Sequence, residues 1–239
     1  MRPLTALEML GVWEAGQGRS LADRALLLLA SACPESSWDT LAALPIGQRD
    51  AHLLTLREWT FGSAVSSLVP CPVCGERLEV SFRIDDLRAP ARSEPMLAIR
   101  AHGYEIDVRL PTSLDLIDVE GAPDARRQLL RRCVRGARRR GRRRPFSQLP
   151  ARVLDAVDRG LSEADSQASV RAELSCPTCA HRWQALFDIV SFFWEELGHW
   201  VRRTLRDVHV LASAYGWREA DVLALSPWRR QYYLQLVQR

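Results

Sequence analysis

Two short motifs, Cys71-Pro72-Val73-Cys74-Gly75 and Cys176-Pro177-Thr178-Cys179, share a Cys-Pro-x-Cys pattern and lie far apart in the chain. A tetrahedral structural zinc takes four soft ligands, and one Cys-x-x-Cys turn supplies only two, so each motif is half of a site. If the two turns close on one ion, everything between Cys74 and Cys176 is an insertion whose ends lie side by side. Arg77 to Ile84 alternates polar and apolar side chains, as do Val170 to Leu174 and the run Trp183, Ala185, Phe187. That period of two is the signature of half-buried strands, and strands flanking both turns give the layout of a zinc ribbon split by an insertion. Gly75 suits the tight turn because it lacks a Cβ; Ala180 replaces it in the second motif. Iron in a rubredoxin-like site uses the same ligands, whereas a dithiol redox role leaves the second motif unexplained. With Cys71, Cys74, Cys176 and Cys179 as ligands the metal has no open position for water or substrate, so it stabilises and does not catalyse.

The segments around this site read as helical. Leu4, Leu7, Leu10 and Val12-Trp13 share one side of a first segment that stops near Gly16-Gln17-Gly18, and Ser20 caps a second that runs to Ala32 before Cys33-Pro34. Ser36 or Ser37 starts a short helix, and Pro45 opens another that carries Leu53, Leu54, Leu56, Trp59 and Phe61 up to Gly62. Beyond the second motif, Asp188 or Ser191 starts a long helix with Phe193, Leu197, Trp200-Val201, Leu205, Val208, Leu211-Ala212 and Tyr215 on its apolar side; two short helices follow Gly216. The expected fold is therefore α+β and predominantly helical, with helical N- and C-terminal segments (1–68 and 188–239) joined by a split zinc ribbon (69–86 and 170–187). The ribbon carries a small α/β insertion over 87–169. In that insertion, Met96 to Arg100 and Tyr104 to Leu110 flank His102-Gly103 as a hairpin. A short helix follows Pro111, another spans Pro123 to about Arg135, and Ser147 precedes or caps a third.

Composition bounds the partners. All 33 basic residues are arginine, against 29 acids and a net charge of +4. The excess is concentrated between Arg131 and Arg144, where nine arginines occur, among them Arg138, Arg139, Arg140, Arg142, Arg143 and Arg144. Such a tract is either a solvated loop between two helices or an arm for an anionic partner, and acidic protein surfaces satisfy it as well as phosphate does. No aromatic side chains interleave the arginines to stack on bases, which argues against nucleic acid. No signal peptide or membrane span is expected, since Leu26 to Ala30 is too short an apolar run and follows Asp23-Arg24. Cys33 reads as a core residue. His52, His199 and His209 read as helix-surface histidines, and His181 as a surface neighbour of the site and not a ligand. No nucleophile has a base beside it, so no enzyme is expected.

Several stretches resemble one family. Phe192-Phe193-Trp194-Glu195-Glu196, Asp207 to Ala212 with Tyr215-Gly216-Trp217, Leu223 to Arg230, and Tyr233-Leu234 are similar to the C-terminal signature of the T-even-phage-type baseplate proteins. Leu110 to Ser113, Leu130 to Val134 and the split cysteine motifs resemble zinc-containing members of the family. The resemblance extends from about Val69 to the end and is most specific from Phe187 to Val237. It implies a non-enzymatic structural or assembly protein near the hub of a contractile phage tail or phage-tail-like injection particle. Its partners are then other baseplate, hub or spike proteins, and it is cytoplasmic during assembly and then in the baseplate of the particle. Trp194, Trp217, Trp228 and Arg229 are the candidate partner contacts. The rival reading is a nucleic-acid-binding regulator built from the ribbon, the arginine tract and the C-terminal helices.

Overall fold

A computed structural model of the chain describes residues 1–89 and 96–237; residues 90–95, at the start of the expected insertion, and 238–239 lie outside the described residues. The N-terminal helices begin where side chains can take up free amides. α1 (Ala6–Ala15) opens on a capping box: Thr5 Oγ accepts from the Glu8 amide at 3.3 Å, and the Glu8 carboxylate accepts from the Thr5 amide at 2.8 Å. α2 (Leu21–Ala32) and α3 (Trp38–Ala42) are capped by Ser20 and Ser37, while α4 (Ile46–Phe61) follows Pro45 and stops at Gly62, whose φ of 88° suits glycine. α1 buries Met9, Leu10 and Val12, whereas Leu7 is 62% exposed. The buried face is thus turned toward Met9 relative to the expected line through Leu4, Leu7 and Leu10.

β1 (Ala64–Pro70) and β2 (Arg77–Arg83) form an antiparallel ribbon in register from Ala64↔Arg83 to Pro70↔Arg77, and β1 begins inside the stretch read as helical. The inserted residues then build a four-stranded antiparallel sheet in the order β3 (Met96–Ala101), β4 (Tyr104–Arg109), β5 (Val134–Arg139), β6 (Arg142–Arg143). His102 and Gly103 both have positive φ, 52° and 76°, as a two-residue turn matching the strand twist requires. α5 (Ser113–Val119) and α6 (Ala125–Cys133) connect β4 to β5, and α7 (Ala151–Ala164) packs against β3 and β4. Gly160 lets α7 sit close, since a Cβ there would lie 2.7 Å from Ile99 Cδ1.

The structure departs from two expectations. The tract from Arg138 to Arg144 is not a loop between helices: Arg138 pairs with Arg143 and Arg139 with Arg142 across a turn at Arg140-Gly141, with φ of 49° and 75°. The helix expected from Pro123 to Arg135 ends at Cys133, because Val134 turns into the strand that pairs with β4. Of the two places open to Ser147, the structure shows it preceding the next helix and not capping it: it lies in a short 3-10 turn, and α7 follows Pro150.

β7 (Arg171–Ser175) and β8 (Arg182–Leu186) form a second ribbon, after which α8 (Ile189–Tyr215) starts at Asp188 and ends at Gly216 in the left-handed conformation. α9 (Glu219–Ala224) and α10 (Pro227–Val237) close the described chain. The main core gathers α1 to α4 with α8, α9 and α10, and Leu26, Leu28, Leu29, Leu53, Leu197 and Leu211 are fully buried in it. Each such side chain contributes about 1.5–3 kcal/mol. The inserted sheet has its own core around Ile106, Val108, Leu130, Cys133, Val153 and Val157. The two meet at the start of α4: the Ile46 amide donates to Pro111 O at 3.0 Å, and the Gly47 amide donates to the Asp165 carboxylate at 2.9 Å.

Candidate metal centre

The two knuckles adopt the same turn. In the first, the Cys71 amide donates to Glu76 O at 2.8 Å and the Gly75 amide to Cys71 O at 2.9 Å; in the second, the Cys176 amide donates to His181 O and the Ala180 amide to Cys176 O, both at 2.9 Å. Each turn needs a left-handed residue after its second cysteine. Gly75 has φ of 76°, and Ala180 takes φ of 57° although its Cβ makes that region unfavourable by about 1–2 kcal/mol. The ribbons aim the two turns at each other, and the Sγ atoms of Cys71, Cys74, Cys176 and Cys179 all lie within 4.8 Å of one another.

Across the knuckles, Cys71 lies 3.7 Å from Cys179 and Cys74 lies 3.6 Å from Cys176, the latter joining residues 102 positions apart. A disulfide needs about 2.05 Å, so these are not bonded sulfurs. Four sulfurs about 2.3 Å from a central zinc stand about 3.8 Å apart in a tetrahedron, so the spacing fits a four-thiolate ion. Cys71 and Cys176 are buried while Cys74 and Cys179 are exposed.

The local dipoles favour thiolate at the first cysteine of each turn. Burial raises the Cys71 thiol, but the amides of Cys74 and Val73 more than offset it and bring it below the usual range. The amides of Cys179 and Thr178 bring Cys176 down to about 7. For Cys74 the Glu76 amide favours the thiolate, yet burial and the neighbouring sulfurs push it up to about 12. Four thiols this close cannot all ionise by themselves, and a divalent cation is the natural counter-charge. The donor set can therefore hold a metal ion such as zinc. Beside it, the His181 ring stacks on Trp183 at 5.7 Å, and Leu78, Val80 and Trp183 pack on the buried cysteines.

The other singled-out residues are dispersed. Trp194 is buried in the main core, where its ring covers Gly16 and lies under the Arg24 guanidinium at 4.8 Å. Trp217 is half-buried against Tyr215 and Tyr233, whereas Trp228 is 74% exposed on α10 beside exposed Arg229. Arg138, Arg139, Arg140, Arg142, Arg143 and Arg144 are all exposed, and no ion pair holds any of them among the described residues. His52, His199 and His209 lie exposed on their helices, and Cys33 is buried.

Sequence reasoning missed the buried charges. Arg57, with a side chain only 2% exposed, donates to both Glu196 oxygens at 2.8 and 2.6 Å and to Gly62 O at 2.6 Å, tying α4 to α8. Asp115 accepts from Arg109 at 2.5 and 2.7 Å, from Arg132 at 2.8 Å and from the Thr112 amide at 2.9 Å. Arg57 and Glu196 stand 139 positions apart, and nothing local in the sequence links them.

The sequence model of the family described as T4 bacteriophage base plate protein matches residues 14–194. The chain belongs to this family. The matched span takes in most of the N-terminal helices, the insertion and both knuckles, and stops within the first turns of α8. The part read as most specific, Phe187 to Val237, therefore lies largely beyond it. No curated protein and no solved structure matches the chain. As a T4-type baseplate protein it has a structural role in the phage baseplate and works among other baseplate proteins. No helix of the described residues is long and apolar enough to cross a membrane.

Proposed function

We propose that this baseplate protein is a non-enzymatic assembly component of the hub region of a contractile tail or phage-tail-like injection particle, clasped by one structural zinc in a split zinc ribbon. The observation that carries the clasp is the convergence of four sulfurs from two turns within 4.8 Å. With four protein ligands such an ion has no open position for substrate, which supports a structural and not a catalytic metal. In this reading the units are the helical segments 1–68 and 188–239, the ribbon 69–86 and 170–187, and the insertion 87–169. The zinc holds the ends of the insertion together, so that its sheet keeps a fixed position relative to the helices.

Two surfaces are the proposed contacts to hub or spike proteins. One is α10, where exposed Trp228 stacks on Tyr232 at 5.8 Å with Arg229 beside it; aromatic and arginine side chains are the residues interfaces favour. The other is the arginine hairpin, with Arg138 to Arg144 meeting an acidic protein surface. In a strain lacking the gene, tubes or sheaths without proper baseplates are expected by electron microscopy. Particles indistinguishable from wild type would overturn the assembly role. Elemental analysis of protein purified without chelator should find one zinc per chain, lost in a Cys71→Ser/Cys176→Ser variant; metal-free native protein would remove the clasp.

A further inference from the structure

A second built site lies away from the cysteines. Residues of α1, α4, α8, α9 and α10 line a cavity of about 510 Å³, within the range of small-ligand sites. Trp59, Trp200 and Leu223 give it apolar walls, and Arg203, Asp207 and Arg230 give it charge. Arg230 is the unusual member. It is 7% exposed, its Nε is buried with no acceptor, and its guanidinium makes no hydrogen bond or ion pair among the described residues. Buried polar groups are almost always paired, so an Nε–H held out of water without an acceptor is costly, while the two terminal nitrogens of the guanidinium face the cavity. Burial pushes its pKa down, and the charge of Asp207 offsets that only in part.

The chemistry of the missing acceptor follows from the walls. Arg203 and Arg230 against Asp207 leave one net positive charge, which matches a monoanion. A guanidinium pairs best with the two oxygens of a carboxylate. Trp59, Trp200 and Leu223, beside these charges, then favour a carboxylate that carries an apolar body close to it. In a polypeptide, a carboxylate and an apolar side chain share one carbon only at the C-terminus. We propose that this cavity binds the C-terminal residue of a partner protein, its carboxylate on Arg230 and Arg203 and its leucine-like side chain against Trp59, Trp200 and Leu223. The choice of a protein terminus rests on the assembly role proposed above; the carboxylate chemistry rests on the cavity alone.

The test uses the full chain with its metal, titrated calorimetrically with the peptide acetyl-Ala-Ala-Leu as free acid, with its C-terminal amide, and with acetyl-leucine. The acid should bind and the amide should not. Arg230→Gln should weaken the acid by about tenfold or more, the usual effect of losing a charged hydrogen bond. Asp207→Asn, at a half-buried position, should bind more tightly, because it removes a negative charge that repels the incoming carboxylate. That gain keeps the test decisive if Arg230→Gln does not fold. Equal binding of acid and amide, or no binding at millimolar peptide, overturns the site. Acetyl-leucine binding as tightly as the peptide overturns the protein terminus as its occupant. The deletion-strain particles judge the assembly role independently of all three results.

Discussion

Arg57 illustrates how single residues fix this chain. Its guanidinium is out of water and lies over the Phe192 ring, and removing it strands Glu196 and leaves Gly62 O without its donor. Arg57→Ala is therefore expected to cost about 3–5 kcal/mol in chemical denaturation, the range for breaking a buried pair. Arg57→Met with Glu196→Leu should recover most of it, because the charge is then no longer unpaired. A double variant as unstable as the single one would show that the bond to Gly62 O dominates. Asp115 carries a pH signature. Burial alone would raise its carboxyl, but donors from Arg109, Arg132 and Thr112 outweigh burial and hold it well below the usual carboxylate range. Its folded pKa is thus depressed, so its contribution is present above the unfolded value near 4 and fades as pH falls through the depressed value. Asp115→Asn should lie about 3 kcal/mol or more below wild type at neutral pH and converge with it only in strong acid, as followed by denaturation across pH. Parallel curves at all pH values would mean that the carboxylate charge contributes nothing. None of these partners could be read from the sequence, since a buried arginine and a surface arginine look alike until the fold pairs them.

At the scale of elements, what was legible is what local physics decides. The hydroxyls of Ser20 and Ser37 and the carboxylate of Asp188 mark helix starts, Gly216 marks a stop, and His102-Gly103 marks a hairpin; each choice is made within a few residues. The four cysteines were legible for a different reason, because thiolate pairs at that spacing have few other uses. The arginine hairpin was not legible. Arg-Arg-Arg-Gly-Arg-Arg-Arg has no apolar alternation, and its strand character comes from the backbone of β4, which Arg138 and Arg139 meet at Glu105 and Tyr104. Pairing explains its order and alternation explains its shape: Arg138 and Arg143 share one face, while Arg139 and Arg142 share the other, with Arg139 over the Tyr104 ring at 5.2 Å. Because the hairpin folds without help from its charges, neutralising the outer pair should leave the fold intact. Arg138→Gln/Arg143→Gln is expected to change the melting temperature by no more than about 1–2 °C, the size of a surface effect. The same variant should reduce incorporation into particles, measured by quantitative blotting of purified tails. Full incorporation would free the hairpin from the proposed acidic contact.

For the whole molecule, the question is how much of the fold would depend on the proposed zinc. The residues packed around the buried cysteines are few, Leu78, Val80 and Trp183, and two-stranded ribbons are marginal without support. The main helical core and the core of the insertion are each built from their own leucines and valines, and they meet through α4 at Pro111 and Asp165, away from the knuckles. Binding energy from a structural zinc, on the order of 10 kcal/mol in small domains, would then be spent locally on the two ribbons. Chelation should accordingly open β1, β2, β7 and β8 while α2 and α8 stay folded. Hydrogen exchange can separate these outcomes, since ribbon amides should lose most of their protection and the amides of Leu26 to Leu29 should keep theirs. The insertion's sheet should also keep its protection, but its position should loosen, because one of the joints that hold its ends together is gone. If α2 and α8 exchange as fast as the ribbons once the metal is removed, the clasp holds the whole chain, and the helical core is too weak to stand without it.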